Sequence, residues 1–155
     1  MNYETLLTEA AAKDIEVYEV DMNGKIKGLY KDGVVWINKR LFMIDKHGVL
    51  GEEIGHHETT AGNILDQRDA RNRKQELRAR QWAYFHLVPL SAIVQAYNSR
   101  ITGRHEIADY LNVTENFLQA AIDRYRDKYG LFVTYEDRYT IYFDPLGVVE
   151  MFGDS

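Results

Sequence analysis

The spacing of the apolar residues changes near residue 39, and this change constrains the fold more than any other feature. From Ile15 to Ile37 apolar residues recur at about every second position, which is typical of β-strands. Beyond Lys39 they recur mainly at helical spacing. Strands followed by helices, without regular alternation between the two, predict an α+β fold.

Three short strands are predicted between residues 15 and 37. The turn residues Asn23-Gly24 end the first alternating run, and Asp32-Gly33 separate the second run from the third. Because Asp-Gly between apolar runs is a strong signal for a β-hairpin, we expect neighbouring strands to be antiparallel. The sequence thus predicts a small antiparallel sheet, preceded by a helix in residues 2–13.

The middle of the chain is predicted to be helical. A long helix ends at Pro89, because proline cannot continue the hydrogen bonding of a helix interior. Ser91 is a residue type favoured at the N-cap, so it predicts the start of the next helix. The predicted helices of this part are residues 41–44, 49–59, 70–88 and 92–97.

The last third of the chain has a different pattern. A short helix at residues 106–111, a tight connection and a helix from the N-cap Thr114 to about Tyr129 match a helix-turn-helix. Two runs of strand-forming residues follow and predict a C-terminal β-hairpin. We therefore divide the chain into a first domain, residues 1–98, and a helix-turn-helix or winged-helix-like subdomain, residues 99–155.

The residue content excludes several classes of protein. The 155 residues include no cysteine, so disulfide scaffolds and thiol catalysis are excluded, and a metal site must consist of His, Asp and Glu. The formal net charge of −5 argues against tight binding to DNA phosphates. The sequence has neither a signal-peptide pattern nor about 18 consecutive apolar residues, so we expect a cytoplasmic protein without membrane contact.

The segment from Gly51 to His57 contains the residues most suited to chemistry. On a helix, Glu52 and His56 are four residues apart, so both side chains lie on one face and can bind a single metal ion. Glu53 lies about 100° further round the helix, where its carboxylate can reach a water held by that ion. This is the layout of a zincin helix, His-Glu-x-x-His, with Glu52 in place of the first histidine.

A second segment strengthens this interpretation. From Glu76 to Pro89 the chain reads Glu-x-x-Ala-x-x-aromatic-Ala-x-x-x-Leu-x-Pro. With residues 48–51 and the pair His56-His57, this pattern resembles the ImmA/IrrE family of metallopeptidases, which occur in phages, mobile elements and bacteria. The resemblance covers roughly residues 1–98, with Glu-Glu-x-Gly-His here where the family commonly has His-Glu-x-Gly-His.

The resemblance implies an activity and a set of site residues. It implies a metallo-endopeptidase (a hydrolase) with a zincin-type helical core and Glu53 as the general base. The residues in the positions of the zinc ligands are Glu52, His56 and Glu76. The implied substrate is a protein, a transcriptional repressor whose cleavage releases the programme of a phage or mobile element.

The composition of the ligand set affects the expected catalysis. Two carboxylates and one neutral imidazole cancel the charge of a divalent ion, whereas two imidazoles and one carboxylate leave a positive charge. We therefore expect weaker activation of bound water, with Mn²⁺ as an alternative to Zn²⁺. Near these ligands, His57 and Asp66 are candidates for orienting a ligand imidazole or contacting the substrate.

Two other functions are consistent with the sequence. If Glu52 does not bind metal, the protein is a catalytically weak or inactive module that binds a repressor. Alternatively, the helix-turn-helix makes it a DNA-binding regulator. The helix after Thr114 mixes acidic and basic residues, which is unfavourable for contact with phosphates, so we expect no tight DNA binding.

Overall fold

Two units of helix and sheet make up the chain, Met1–Leu87 and Val88–Ser155. The computed structural model describes residues 1–60 and 69–151, with residues 69–72 described by their backbone only. Both units combine helices with a three-stranded sheet, so the predicted α+β class is confirmed. The boundary predicted between residues 98 and 99 stays a prediction.

The first unit begins with a helix, continues with three strands and ends with two long helices. Asn2 caps the first helix, because its side-chain oxygen accepts a hydrogen bond from the Thr5 amide. Residues 41–59, predicted as two helices, contain one continuous helix. The elements are α1 (Tyr3–Ala12), β1 (Glu16–Val20), β2 (Gly28–Lys31), β3 (Val34–Asn38), α2 (Met43–Thr59) and α3 (Asp69–Leu87).

The sheet of the first unit has the order β1-β3-β2, and this corrects the predicted antiparallel sheet. β2 and β3 form the expected hairpin around Asp32 and Gly33, both at positive φ, whereas β1 runs parallel to β3. The prediction was wrong for β1 because a turn signal sets the direction only of the strands that it joins tightly. β3 carries the buried Val35 and Ile37, and its central position gives it hydrogen-bond partners on both sides.

The core of the first unit lies between the sheet and the helices. α2 contacts α1, β2, β3 and α3, so it is the central element of this unit. Burial of an aliphatic side chain of this size stabilises the fold by about 1.5–3 kcal/mol. The largest buried aliphatic side chains here come from α1, β3 and α2: Leu6, Val35, Ile37, Leu50 and Ile54. The zincin type of this packing stays a prediction.

The second unit consists of three helices followed by a sheet. Thr114 caps α6 as predicted, because its hydroxyl accepts from the Phe117 amide at 3.0 Å. Ser91 is not an N-cap, since Pro89 occupies that position and the helix has already begun at Leu90. The elements are α4 (Leu90–Asn98), α5 (Arg104–Leu111), α6 (Glu115–Tyr129), β4 (Phe132–Tyr135), β5 (Tyr139–Phe143) and β6 (Leu146–Glu150).

The sheet of the second unit is larger than the predicted hairpin. β4 and β5 pair antiparallel, and β6, which was not predicted, extends them to a sheet of order β4-β5-β6. Among the described residues, no helix has the length and apolar content needed to cross a membrane.

One ionic cluster joins three elements of the first unit. Glu19 on β1 lies 2.5 Å from the Lys46 ammonium on α2 and accepts a hydrogen bond of 3.0 Å from the Tyr3 hydroxyl on α1. The pKa of Glu19 is lowered, mainly by the hydrogen bond from Lys46. Burial raises this pKa and the hydrogen bond from Tyr3 lowers it, but both effects are smaller. Ionised Glu19 therefore stabilises the folded state.

Glu19→Gln should reduce stability at neutral pH and flatten its decline in acid. A carboxyl whose pKa is lowered by folding stabilises the protein above its ordinary pKa, and this contribution is lost as the pH falls through the lowered value. The carboxylate is partly exposed, so we expect a loss of about 0.5–1 kcal/mol. Urea unfolding between pH 3 and 7 measures it, with the exposed Glu16→Gln on the same strand as control. An unchanged decline in Glu19→Gln would contradict this role.

Candidate functional site

Two glycines on α2 allow α3 to approach closely. A Cβ atom at Gly55 would collide with the backbone carbonyl of Ala79, and one at Gly51 would lie 2.6 Å from the end of the Leu87 side chain. Glycine in a helix interior costs about 1 kcal/mol relative to alanine. The contact between the two helices accounts for the presence of glycine at both positions, one turn apart on the same face.

This close contact brings two of the predicted ligands together. His56 follows Gly55 directly, and Glu76 lies about one turn before Ala79. The His56 Nε2 atom lies 3.0 Å from Glu76 Oε1. Arg80, one turn after Glu76, lies 3.9 Å from the other carboxylate oxygen. The site thus places an imidazole nitrogen and a carboxylate oxygen side by side, and both are ligand types that zinc binds.

Glu52 lies one turn before His56 on the same flank of α2 and is half-buried. The pKa of Glu52 is raised, mainly by burial. The negative charge of Glu76 also raises it, whereas the positive charges of Arg80 and Lys27 lower it. Glu52 therefore lies within the electrostatic field of the His56–Glu76 pair. In the described ranges, however, no three His, Asp or Glu side chains are close enough together to hold a metal ion.

Glu53 is buried and lies against β2. Its Oε1 atom lies 3.3 Å from the position that a Cβ atom of Gly28 would occupy, so the glycine leaves room for the carboxyl group. Burial, followed by the charges of Glu52 and Glu76, raises the pKa of Glu53 to about 8. A carboxyl group with a pKa close to neutrality is suited to accept and release a proton.

His57 lies one turn after Glu53 and also contacts β2. Its Nδ1 atom lies 2.8 Å from the Tyr30 hydroxyl, and the two rings meet edge to face with their centres 5.6 Å apart. The same hydroxyl accepts a hydrogen bond of 3.1 Å from the Gly33 amide. The partner found for His57 is therefore Tyr30 and not the His56–Glu76 pair.

The structure places four of the predicted residues in one region of the first unit. His56 and Glu76 are in contact, whereas Glu52 and Glu53 are linked to them by charge effects. Asp66 lies outside the described residues. The residues in this region that the sequence analysis missed are Gly28, Tyr30 and Arg80.

The missed residues differ in the signals that they carry. A glycine inside a strand is a known sign of a close approach, so it could have indicated Gly28. Arg80 follows Glu76 at the helical spacing of ion pairs. Tyr30 and His57 are 27 residues apart, and no local pattern connects them.

The chemistry of these side chains fits a divalent cation. Glu52, Glu53 and Glu76 bring three carboxyl groups to a partly buried region that also holds His56. Burial of an ionised carboxylate is unfavourable unless a positive charge lies nearby, and otherwise the group is protonated. The raised pKa values of Glu52 and Glu53 reflect this cost. Oxygen and imidazole nitrogen ligands suit zinc or manganese.

The chain matches the model of a known protein family. The family model Peptidase_M78, described as the IrrE N-terminal-like domain, matches residues 10–123. This range includes all the site residues named above. No curated protein matches the chain.

Gly55→Ala should destabilise the protein far more than Gly51→Ala. The new methyl group at position 55 meets the rigid backbone of Ala79, whereas at position 51 it meets the movable end of Leu87. We expect a loss of about 1–3 kcal/mol for Gly55→Ala, the usual cost of overpacking, and a smaller or no loss for Gly51→Ala. Thermal unfolding of both variants measures the difference. Equal stability of the two would show that the helices can separate at position 55 without cost.

Proposed function

The chain belongs to the Peptidase_M78 family, a family of metallopeptidases that are generally zinc-dependent, and on this premise we propose that it is a metal-dependent endopeptidase. The observation that carries the proposal is the contact of His56 with Glu76 near the buried carboxyl group of Glu53. Two potential ligands and a potential base thus occupy one region, as hydrolysis of a peptide bond requires.

Each side chain has a separate task in this proposal. His56 and Glu76 would hold the metal ion, and Glu52, on the same flank of α2, would be the third ligand. When bound, the ion supplies a Lewis acid for the peptide carbonyl and lowers the pKa of water. Glu53 accepts the proton of the attacking water and passes it to the leaving amine. Arg80 lies 3.9 Å from the Glu76 carboxylate and offsets part of its negative charge.

The proposed substrate is a transcriptional repressor of a phage or mobile element. This step rests on the resemblance of residues 48–57 and 76–89 to the ImmA/IrrE family. Incubation of the zinc-loaded protein with the repressors of the phage or element that encodes it tests the proposal. A defined cleavage product supports it, and intact repressors under all metal conditions contradict it.

A second candidate function is binding of a repressor without cleavage. It is favoured by Glu52 in the first ligand position and by the finding that the described side chains do not form a three-ligand cluster. Tight DNA binding is not proposed, because basic residues of α6 are already paired with acids. Arg124 lies 3.3 Å from Asp127, and Arg126 lies 3.1 Å from Asp144.

His56→Ala and Glu76→Ala should each weaken zinc binding strongly, because each removes one of few ligands. We expect the Kd for zinc to rise by more than about 100-fold. Loss of a residue that only hydrogen-bonds to a metal ligand already lowers metal affinity by about 10–100-fold. Competition with a chromogenic chelator measures the Kd. Glu58→Ala is the matched control, because Glu58 lies on α2 but pairs with Lys13 at 2.7 Å. Equal zinc affinity in all variants would overturn the proposed site.

Glu52→His and Glu52→Ala should separate the two candidate functions. If Glu52 is a ligand, Glu52→Ala weakens zinc binding, and Glu52→His restores the common family site with a net positive charge that activates water more strongly. The same chelator titration, combined with proteolysis measured against pH, detects both effects. Equal affinities of wild type and both variants would remove Glu52 from the ligand set.

Glu53→Gln should retain zinc and lose proteolysis. Glutamine keeps the size and hydrogen-bonding capacity of the side chain but cannot accept the proton, and loss of a general base typically costs about 10²–10⁴-fold in rate. Zinc titration and cleavage assays on the same preparation measure the two properties. Cleavage at the wild-type rate by Glu53→Gln would mean that another group is the base.

A further inference from the structure

The Tyr30 hydroxyl links the hairpin turn of β2 and β3 to α2. It accepts a hydrogen bond from the Gly33 amide at 3.1 Å and lies 2.8 Å from His57 Nδ1. The backbone amide can only donate, so its partner is a lone pair of the Tyr30 hydroxyl oxygen. The hydroxyl hydrogen is then free to point at His57.

This arrangement favours one tautomer of the His57 ring. A neutral imidazole has one nitrogen that donates and one that accepts. If the Tyr30 hydroxyl donates to Nδ1, the ring hydrogen lies on Nε2. The opposite arrangement would make the Tyr30 hydroxyl accept two hydrogen bonds, from Gly33 and from His57, and its own hydrogen would have to point to solvent. The edge-to-face contact of the rings also restrains the imidazole plane.

His57 is close to the proposed base. Glu53 and His57 are four residues apart on α2 and lie over Gly28 and Tyr30, which are two residues apart on β2. Four residues of a helix and two residues of a strand span similar distances, about 6 and 6.7 Å, so both contacts form at once. His57 is half-exposed, and its Nε2 atom makes no hydrogen bond to the described residues.

We propose that Tyr30 is a positioning residue, which holds the ring hydrogen of His57 on Nε2. The second part of the proposal is that this N–H donates a hydrogen bond to the carbonyl oxygen of the scissile peptide. The oxygen gains negative charge as water attacks, so a donor fixed in advance stabilises the transition state more than the bound substrate. The second part of this inference rests on the proposed peptidase function, whereas the tautomer of His57 does not.

Nitrogen-15 NMR of the histidine side chains tests the tautomer without any activity. In the wild-type protein, at a pH where His57 is neutral, we expect a protonated Nε2 and an unprotonated, hydrogen-bonded Nδ1. In Tyr30→Phe the two shifts should move towards those of a tautomer mixture. Tyr18→Phe, which removes an exposed hydroxyl from the outer face of β1, is the matched control and should change nothing. A hydrogen on Nδ1 in the wild type, or no change in Tyr30→Phe, would overturn the positioning role.

Turnover of fluorescein-labelled casein by the zinc-loaded protein tests the hydrogen bond to substrate. His57→Ala should lower kcat by about 10²–10³-fold with little change in KM, as for other lost oxyanion donors. His57→Gln should keep much of the rate, because its amide N–H can occupy the position of Nε2. In the wild-type background Tyr30→Phe should lower kcat by about 10-fold. In the His57→Gln background it should not lower kcat further, because Tyr30 acts only through the imidazole.

The outcomes separate this inference from the proposed function. An equal loss from Tyr30→Phe in both backgrounds would show that Tyr30 supports the hairpin and not the His57 ring. A rise in KM with unchanged kcat in His57→Ala would exclude the transition-state role. If the wild type cleaves neither casein nor a repressor, the peptidase proposal and the hydrogen bond to substrate both fail, while the NMR result still decides the tautomer.

Discussion

The close crossing of α2 and α3 at Gly55 is the contact on which the candidate site depends. A single methyl group at this position would push the backbone of Ala79 away, and Glu76 would move with it. The distance of 3.0 Å between His56 and Glu76 is therefore set by a residue that has no side chain. The cost of glycine in a helix, about 1 kcal/mol, is offset by the packing of the two helices and by the geometry that this packing produces.

The concentration of carboxyl groups is the second constraint. Burial raises the pKa of both Glu52 and Glu53, and each carboxyl group also responds to the charge of Glu76. The protein has two ways to relieve this cost, namely protonation of a carboxyl group or addition of a positive charge. Arg80 supplies one such charge near Glu76. A divalent ion would supply two, and it would lower the pKa of both carboxyl groups towards the ordinary value.

Sequence periodicity predicted those parts of the structure that depend on local spacing. The shared face of Glu52 and His56, the Asp32-Gly33 hairpin and the cap at Thr114 all involve residues within four positions of each other. The parallel pairing of β1 could not be predicted in this way, since alternation is the same in parallel and antiparallel edge strands. The strand β6 was missed although Asp144-Pro145, a dipeptide that favours a turn, stands directly before its short apolar run.

The same distinction applies to the contacts of the site. Spacing along one helix indicated which residues share a face, but not which neighbour covers each face. α2 presents Glu52 and His56 towards Glu76, whereas Glu53 and His57 contact β2. That second contact depends on the match between one helical turn and two strand residues, a property that appears only once the helix lies on the sheet.

The two sides of α2 have separate supports, and this affects how the proposed site tolerates substitution. The proposed ligands are positioned by the helix crossing at Gly55, and the proposed base and its neighbour His57 by Gly28 and Tyr30 on the sheet. Since the two supports lie on different elements, a change in the first ligand position can leave the base in place. This independence gives a physical reason why Glu52 can occupy the first proposed ligand position while Glu53 stays buried against β2.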